Sequence, residues 1–135
     1  MLYRAICKLE VTFMKITSIC PLIISPQAEE LIVLFEQLGF QRSHVKSDIE
    51  GGANINTDMK DENGHRIDIA SSERLPKDLL SIKINVDNFE EALEFFLNRG
   101  FVNSSGDKVT VTGSSKDTFL ISPSGFGITL CEHLK

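Results

Sequence analysis

The sequence predicts an α+β protein built from two similar modules, each running strand, helix, strand, strand, strand. Three observations predict it. A shift of 61 residues lays the second half on the first: Gly39-Phe40 falls on Gly100-Phe101, Glu29-Glu30 on Glu90-Glu91, Phe35 on Phe96, and Gly64 on Gly125, with Ile67 and Ile69 on Ile128 and Leu130. Each half holds one segment with apolar residues at helical spacing. Outside these segments, apolar and polar residues alternate at period two between turn signals.

In chain order, residues 1–13 mix Arg4, Lys8 and Glu10 with apolar positions, so no signal-peptide core forms. They are expected to be an extension, with the compact fold beginning near Met14. A strand over Ile16–Ile24 opens module one (about 14–74). The helix that follows carries Ala28, Leu31, Ile32, Phe35 and Leu38 on one face; Ser25 before Pro26 supplies its start and Gly39 its end. Phe40–Lys46, Ala53–Lys60 and Arg66–Ala70 read as strands, the last two joined by a turn at Asn63-Gly64. Residues 75–78 are the linker. Module two (about 79–135) repeats the order. Its first strand is Leu80–Val86, and its helix carries Phe89, Ala92, Leu93 and Phe96 between a capping-box spacing at Asp87 and Glu90 and a stop at Gly100. Strands over Phe101–Ser104, Thr118–Ser122 and Phe126–Glu132 follow, with a turn at Ser124-Gly125 and an extra short strand at Lys108–Thr112. Phe35 and Phe96 are expected in the core.

Composition bounds the function. At 135 residues, 41% hydrophobic and 24% charged, the chain has the size and balance of one globular domain. A net charge of −5 argues against nucleic acid as a partner. No apolar run reaches the roughly 20 residues that span a bilayer, so no membrane role is expected. Cys7, Cys20 and Cys131 are odd in number and widely spaced, which excludes a disulfide framework or zinc knot and suits a reducing, cytoplasmic setting.

Alternation divides each strand into two faces. Ile82, Ile84 and Val86 oppose Ser81, Lys83 and Asn85; Ile55 and Met59 oppose Asn54, Asn56 and Asp58. Ile67 and Ile69 oppose Arg66 and Asp68; Ile128 and Leu130 oppose Thr129, Cys131 and His133. The apolar face should cover the helices. The polar face either meets solvent or lines a concavity that holds a ligand, and alternation alone leaves both open.

The paired modules, the run Ile23-Ile24-Ser25-Pro26 through Leu38-Gly39-Phe40, and the ending Ser122-Pro123-Ser124-Gly125-Phe126-Gly127-Ile128-Thr129-Leu130 resemble the vicinal oxygen chelate superfamily of glyoxalase I, bleomycin-resistance proteins and extradiol dioxygenases. The resemblance covers about residues 14 to 134. It implies two βαβββ modules forming a curved mixed sheet around a cleft. It also implies a divalent metal held by His, Gln or Glu at the first and last strands of each module, which polarises vicinal substrate oxygens. Those four positions fall on Ile19, Asp68, Ser81 and Thr129, with Leu80 the alternative to Ser81; of these, Asp68 is the one plausible ligand.

Loss of three ligands in four makes a metal-independent small-molecule binder the leading expectation, with no cofactor. Its cleft face would comprise Asn54, Asn56, Asp58, Arg66, Asp68, Ser81, Lys83, Asn85 and Thr129. Arg66 and Asp68, two apart on one strand, are either an ion-pair cluster at the surface or, with Lys83 and Asn85, the groups that orient a ligand. No catalytic residue is assigned. His44, His65 and His133 lack a nucleophile in a recognisable arrangement, and all three read as surface or half-exposed residues. Cys131 on the cleft face is read as packed rather than reactive, and Gly51-Gly52 as a loop pair. Two other functions remain open: a metal-dependent lyase, isomerase or dioxygenase with non-standard ligands, and an interaction module without a pocket. The resemblance further implies a homodimer.

Overall fold

The computed structural model describes residues 14–49, 54–104, 106 and 109–134. The expected extension at 1–13 and the Gly51-Gly52 pair lie outside the described residues. Module one comprises β1 (Ile16–Ser25), α1 (Ala28–Gln37), β2 (Gln41–Ile49), β3 (Asn54–Lys60) and β4 (Arg66–Ser71). Module two comprises β5 (Leu79–Val86), α2 (Phe89–Leu97), β6 (Val102–Asn103), β7 (Thr110–Val111), β8 (Ser115–Ile121) and β9 (Gly127–His133). All strands join one curled half-barrel sheet in the order β2-β3-β4-β1-β5-β9-β8-β6, with β7 on β8.

The repeat is written into the strand registers. Leu22 of β1 lies beside Asp68 of the parallel strand β4, and 61 residues on, Lys83 of β5 lies beside Thr129 of the parallel strand β9. Asp58 faces Asp68 across β3 and β4, as Phe119 faces Thr129 across β8 and β9. The two modules meet where β1 and β5 pair antiparallel, with Cys20 opposite Lys83 and Leu22 opposite Ser81.

Each module carries its own core on the helix side of the sheet. Ala28, Ile32, Met59, Ile67 and Ile69 form the first; Ile84, Val86, Phe89, Ala92, Leu120, Ile128 and Leu130 form the second. Phe35 and Phe96 pack at their edges as expected. They stack edge-on against Phe40 and Phe101 at 5.5 and 5.0 Å between ring centres, equivalent pairs in the repeat. Both helices stop the same way. Gly39 (φ 103°) and Gly100 (φ 89°) adopt the left-handed conformation, and the next amides, of Phe40 and Phe101, return to the carbonyls of Phe35 and Phe96.

The helix starts depart from the expected caps. Residue Gln27 caps α1 without a side-chain bond, because the Ser25 hydroxyl accepts from the Gln27 amide and donates to Asp78 instead. At α2, Asn88 rather than Asp87 is the cap, accepting from the Glu91 amide, while Asp87 accepts from the Lys15 amide at 2.7 Å. Glu132 reaches across from β9 to accept from the Phe89 amide at 2.6 Å, where a carboxylate also meets the positive end of the helix dipole. Removing buried volume from one core should be far costlier than trimming an exposed side chain. Leu130→Ala is expected to lower the unfolding free energy by about 2–5 kcal/mol. Leu38→Ala, at an exposed position, should change it by no more than about 0.5 kcal/mol. Urea midpoints of the two variants against the parent measure the difference.

Candidate functional site

The polar face of the sheet lines a cavity of about 340 Å³ on the side away from the helices. Of the expected cleft residues, Asn56, Asp58, Lys83 and Thr129 line it directly. Asp68 and Ser81 lie next to them, buried. Arg66 stays exposed at the start of β4 and does not line it; Asn85 is buried outside the lining, its amide donating to the Ser18 hydroxyl at 2.7 Å. Asn54 opens β3, but its side chain falls outside the described residues, as does that of His44. The apolar wall, Leu22, Ile24, Ile55 and Ala70, and much of the mouth, including Ser72, Ser115, Asp117 and His133, were not among the expected residues. Strict alternation along β1 from Cys20 would have found Leu22 and Ile24.

Three titratable groups meet at the floor. The Lys83 ammonium donates to Asp68 Oδ2 at 2.8 Å, with side chains 13% and 2% exposed. Asp58 is held opposite Asp68 by the β3–β4 register and accepts from the Asn56 amide at 2.9 Å. Burial draws the Lys83 ammonium down, yet the charge and hydrogen bond of Asp68 outweigh it and the pKa ends above its ordinary 10.5. The Asp58 carboxyl is pushed up from 3.8, by burial first and then by the charge and hydrogen-bond contact of Asp68. Two carboxyl groups share a hydrogen bond when one keeps its proton. Among the described residues Asp68 Oδ1 is buried without a hydrogen-bond partner, which adds to the cost of a second negative charge facing it from Asp58.

The thiols are quiet. Cys20 sits opposite Lys83 on β1, and burial together with the charge of Asp68 raises it to about 11, far from the thiolate that a nucleophile needs. Cys131 is buried on the cavity wall, outside any disulfide. His65 is exposed and bonds Asp61 beyond the hairpin turn, away from the cavity.

No protein-family model and no curated protein matches the sequence. Solved structures do match. A methylmalonyl-CoA epimerase from Mycobacterium tuberculosis aligns at TM-score 0.67 and 12% identity over 96% of each chain. A second methylmalonyl-CoA epimerase aligns at 0.64 and 17% over 93% of this chain and 99% of its own. A glyoxalase/bleomycin resistance protein/dioxygenase superfamily member from Vibrio splendidus 12B01 aligns at 0.52 and 14% over 85% of this chain and 97% of its own. The chain has the vicinal oxygen chelate fold.

That fold raises the question of a divalent metal, and the residues present do not fit one. Ile19, expected at a ligand position, is 58% exposed on the outer face, as is Leu80 at 68%. The inward residue on β1 is Cys20, 61 before Ser81, so the four positions are Cys20, Asp68, Ser81 and Thr129. Asp68 is engaged by an ammonium, the Ser81 and Thr129 hydroxyls bond each other at 2.9 Å, and Cys20 holds its proton. Among the described residues no three His, Cys, Asp or Glu side chains form a metal-ligating group.

Two outcomes follow from the floor cluster. Lys83→Met strands a buried carboxylate and is expected to cost about 3–5 kcal/mol of stability. Adding Asp68→Asn should recover most of that loss in chemical denaturation. The second concerns pH. Asp58 holds its proton more tightly folded than unfolded, so its contribution to stability falls as pH rises from 3.8 through the folded-state value. The stability–pH curve of Asp58→Asn should lack that decline, as thermal melts across the acid range will record.

Proposed function

We propose that this protein is a member of the vicinal oxygen chelate superfamily that binds a small molecule in the cavity without a metal ion. The observation that carries this reading is the Lys83–Asp68 ion pair, which puts an ammonium on the one carboxylate among the four positions that the resemblance gives to metal ligands. The cavity supports it. It combines an apolar wall of Leu22, Ile24, Ile55 and Ala70 with convergent polar groups at its floor, the usual build of a small-molecule site, and its volume is at the small end of the range of roughly 300–1,000 Å³. Cys20 and Cys131, both buried and outside any disulfide, fit work in a reducing compartment.

Metal analysis of protein purified without chelator tests the reading. Less than stoichiometric metal, with ligand binding intact after exhaustive chelation, is the expected result. A stoichiometric ion lost together with activity in Asp68→Ala would replace the reading with a metal-dependent lyase, isomerase or dioxygenase. A thermal-shift screen across metabolites and apolar drugs should give hits, since a ligand of the native state raises stability. An empty screen would favour an interaction module.

We also propose a homodimer formed through the outer face of the central strands. Ile19 and Leu80, equivalent in the repeat, are exposed there with Ile82. A strip with its own approximate twofold suits a self-complementary contact with a second copy. Light scattering should give twice the 15.0 kDa chain mass, and Leu80→Glu should reduce it to one.

A further inference from the structure

We propose that the Lys83 ammonium serves as a built-in cation at the cavity floor, donating hydrogen bonds to the carbonyl oxygen of a neutral ligand with an apolar body. This rests on the reading of the cavity as a small-molecule site and names the chemistry of what it takes.

The argument begins with donors. An ammonium carries three N–H groups. That of Lys83 gives one to Asp68 Oδ2, and no other described residue accepts from it, so two donors remain at a position that lines the cavity. The side chain is 13% exposed, so a ligand that fills the cavity displaces the water that would otherwise serve those donors, and an unserved buried donor is costly. A ligand acceptor answers the cost. Nor does the fold require a charge here: the equivalent position in module one is Leu22, which lines the same cavity as a plain apolar residue.

Charge balance selects the acceptor. Lys83 and Asp68 neutralise each other, and Asp58, facing Asp68 across the strands, retains its proton more readily than an exposed aspartate. A ligand carboxylate would bring an unbalanced negative charge to a cavity that Asp58 and Asp117 also line, and a ligand amine would stand against the ammonium. A neutral carbonyl is penalised by neither and can accept from Lys83. The wall of Leu22, Ile24, Ile55 and Ala70 is suited to the hydrocarbon part of such a molecule. Cys20, directly across β1, keeps its proton and adds no competing charge. In this arrangement the ammonium polarises a ligand oxygen as a metal ion does in other settings, but through hydrogen bonds rather than coordination.

Two probes of matched shape test the inference: acetophenone, which has the carbonyl, and α-methylstyrene, which replaces its oxygen with a methylene. Protein with ¹³C-labelled lysine is titrated with each and followed by NMR. Acetophenone is expected to bind about tenfold more tightly, the worth of one charge-assisted hydrogen bond, and to move the Lys83 Cε signal, which α-methylstyrene leaves in place. The double variant Lys83→Met, Asp68→Asn, which keeps the floor neutral, should bind the two compounds alike. Equal binding by the parent with Lys83 unmoved, or a preference that survives in the double variant, overturns the inference and leaves the cavity reading standing. If neither compound binds, the cavity reading falls and takes the inference with it.

Discussion

The antiparallel pairing of β1 with β5 governs what this molecule can present to a ligand. It joins two modules that would otherwise each expose a sheet edge, and its register decides which side chains turn inward. With Cys20 opposite Lys83 and Leu22 opposite Ser81, the inward set of the central strands is fixed. The parallel neighbours β4 and β9 then deliver Asp68 and Thr129 to the same floor. A slip of one residue would turn Ile19 and Leu80 inward and send Lys83 into the helix layer.

Within that frame the floor shows how a site can keep its geometry while its chemistry changes. Asp68 stands at one of the four positions that the resemblance gives to metal ligands, and its partner is an ammonium of the same chain. Burial makes each charge expensive, so removing either member of the Lys83–Asp68 pair strands the other, and the Asp68 charge in turn pushes the Asp58 carboxyl up. The Ser81–Thr129 hydroxyl pair beside it is self-contained and neutral. The result is a floor with little net charge and a directional set of donors.

Much of this was legible in the sequence, and the exceptions have physical causes. The repeat, both helices, their glycine stops and the hairpin turns were readable because each rests on local rules of spacing and backbone freedom. The inward faces of β4, β5 and β9 were readable because polar and apolar residues alternate cleanly there; on β3 Asn56 and Asp58 were placed correctly, but Ile55, assigned to the opposite face with Met59, also lines the cavity. On β1 the alternation fails: Ile19, Cys20, Leu22, Ile23 and Ile24 are apolar on both sides, so nothing in the pattern distinguishes Ile19 from Cys20. The start of β8 was placed at Thr118 rather than Ser115, which hid Ser115 and Asp117 from the expected site. Arg66 was assigned to the correct face but lies too near the strand start to reach the cavity. Ser25 and Asp87 looked like helix caps, but Asp78 and the Lys15 amide, distant in sequence, engage them. The proton balance at Asp58 depends on a contact across two strands, which no single segment encodes.

The two halves match in backbone but not in what they carry. Where one offers Leu22, Asn56 and Asp58, the other offers Lys83, Asp117 and Phe119. A cup lined identically by both halves would accept a molecule in two equivalent poses and could not tell one end from the other. Here the symmetry of the vessel is broken by its lining, so the two poses differ in energy. Turning any occupant end for end would exchange the Lys83 ammonium for the Leu22 side chain, so the lining itself distinguishes the two ends of the cup.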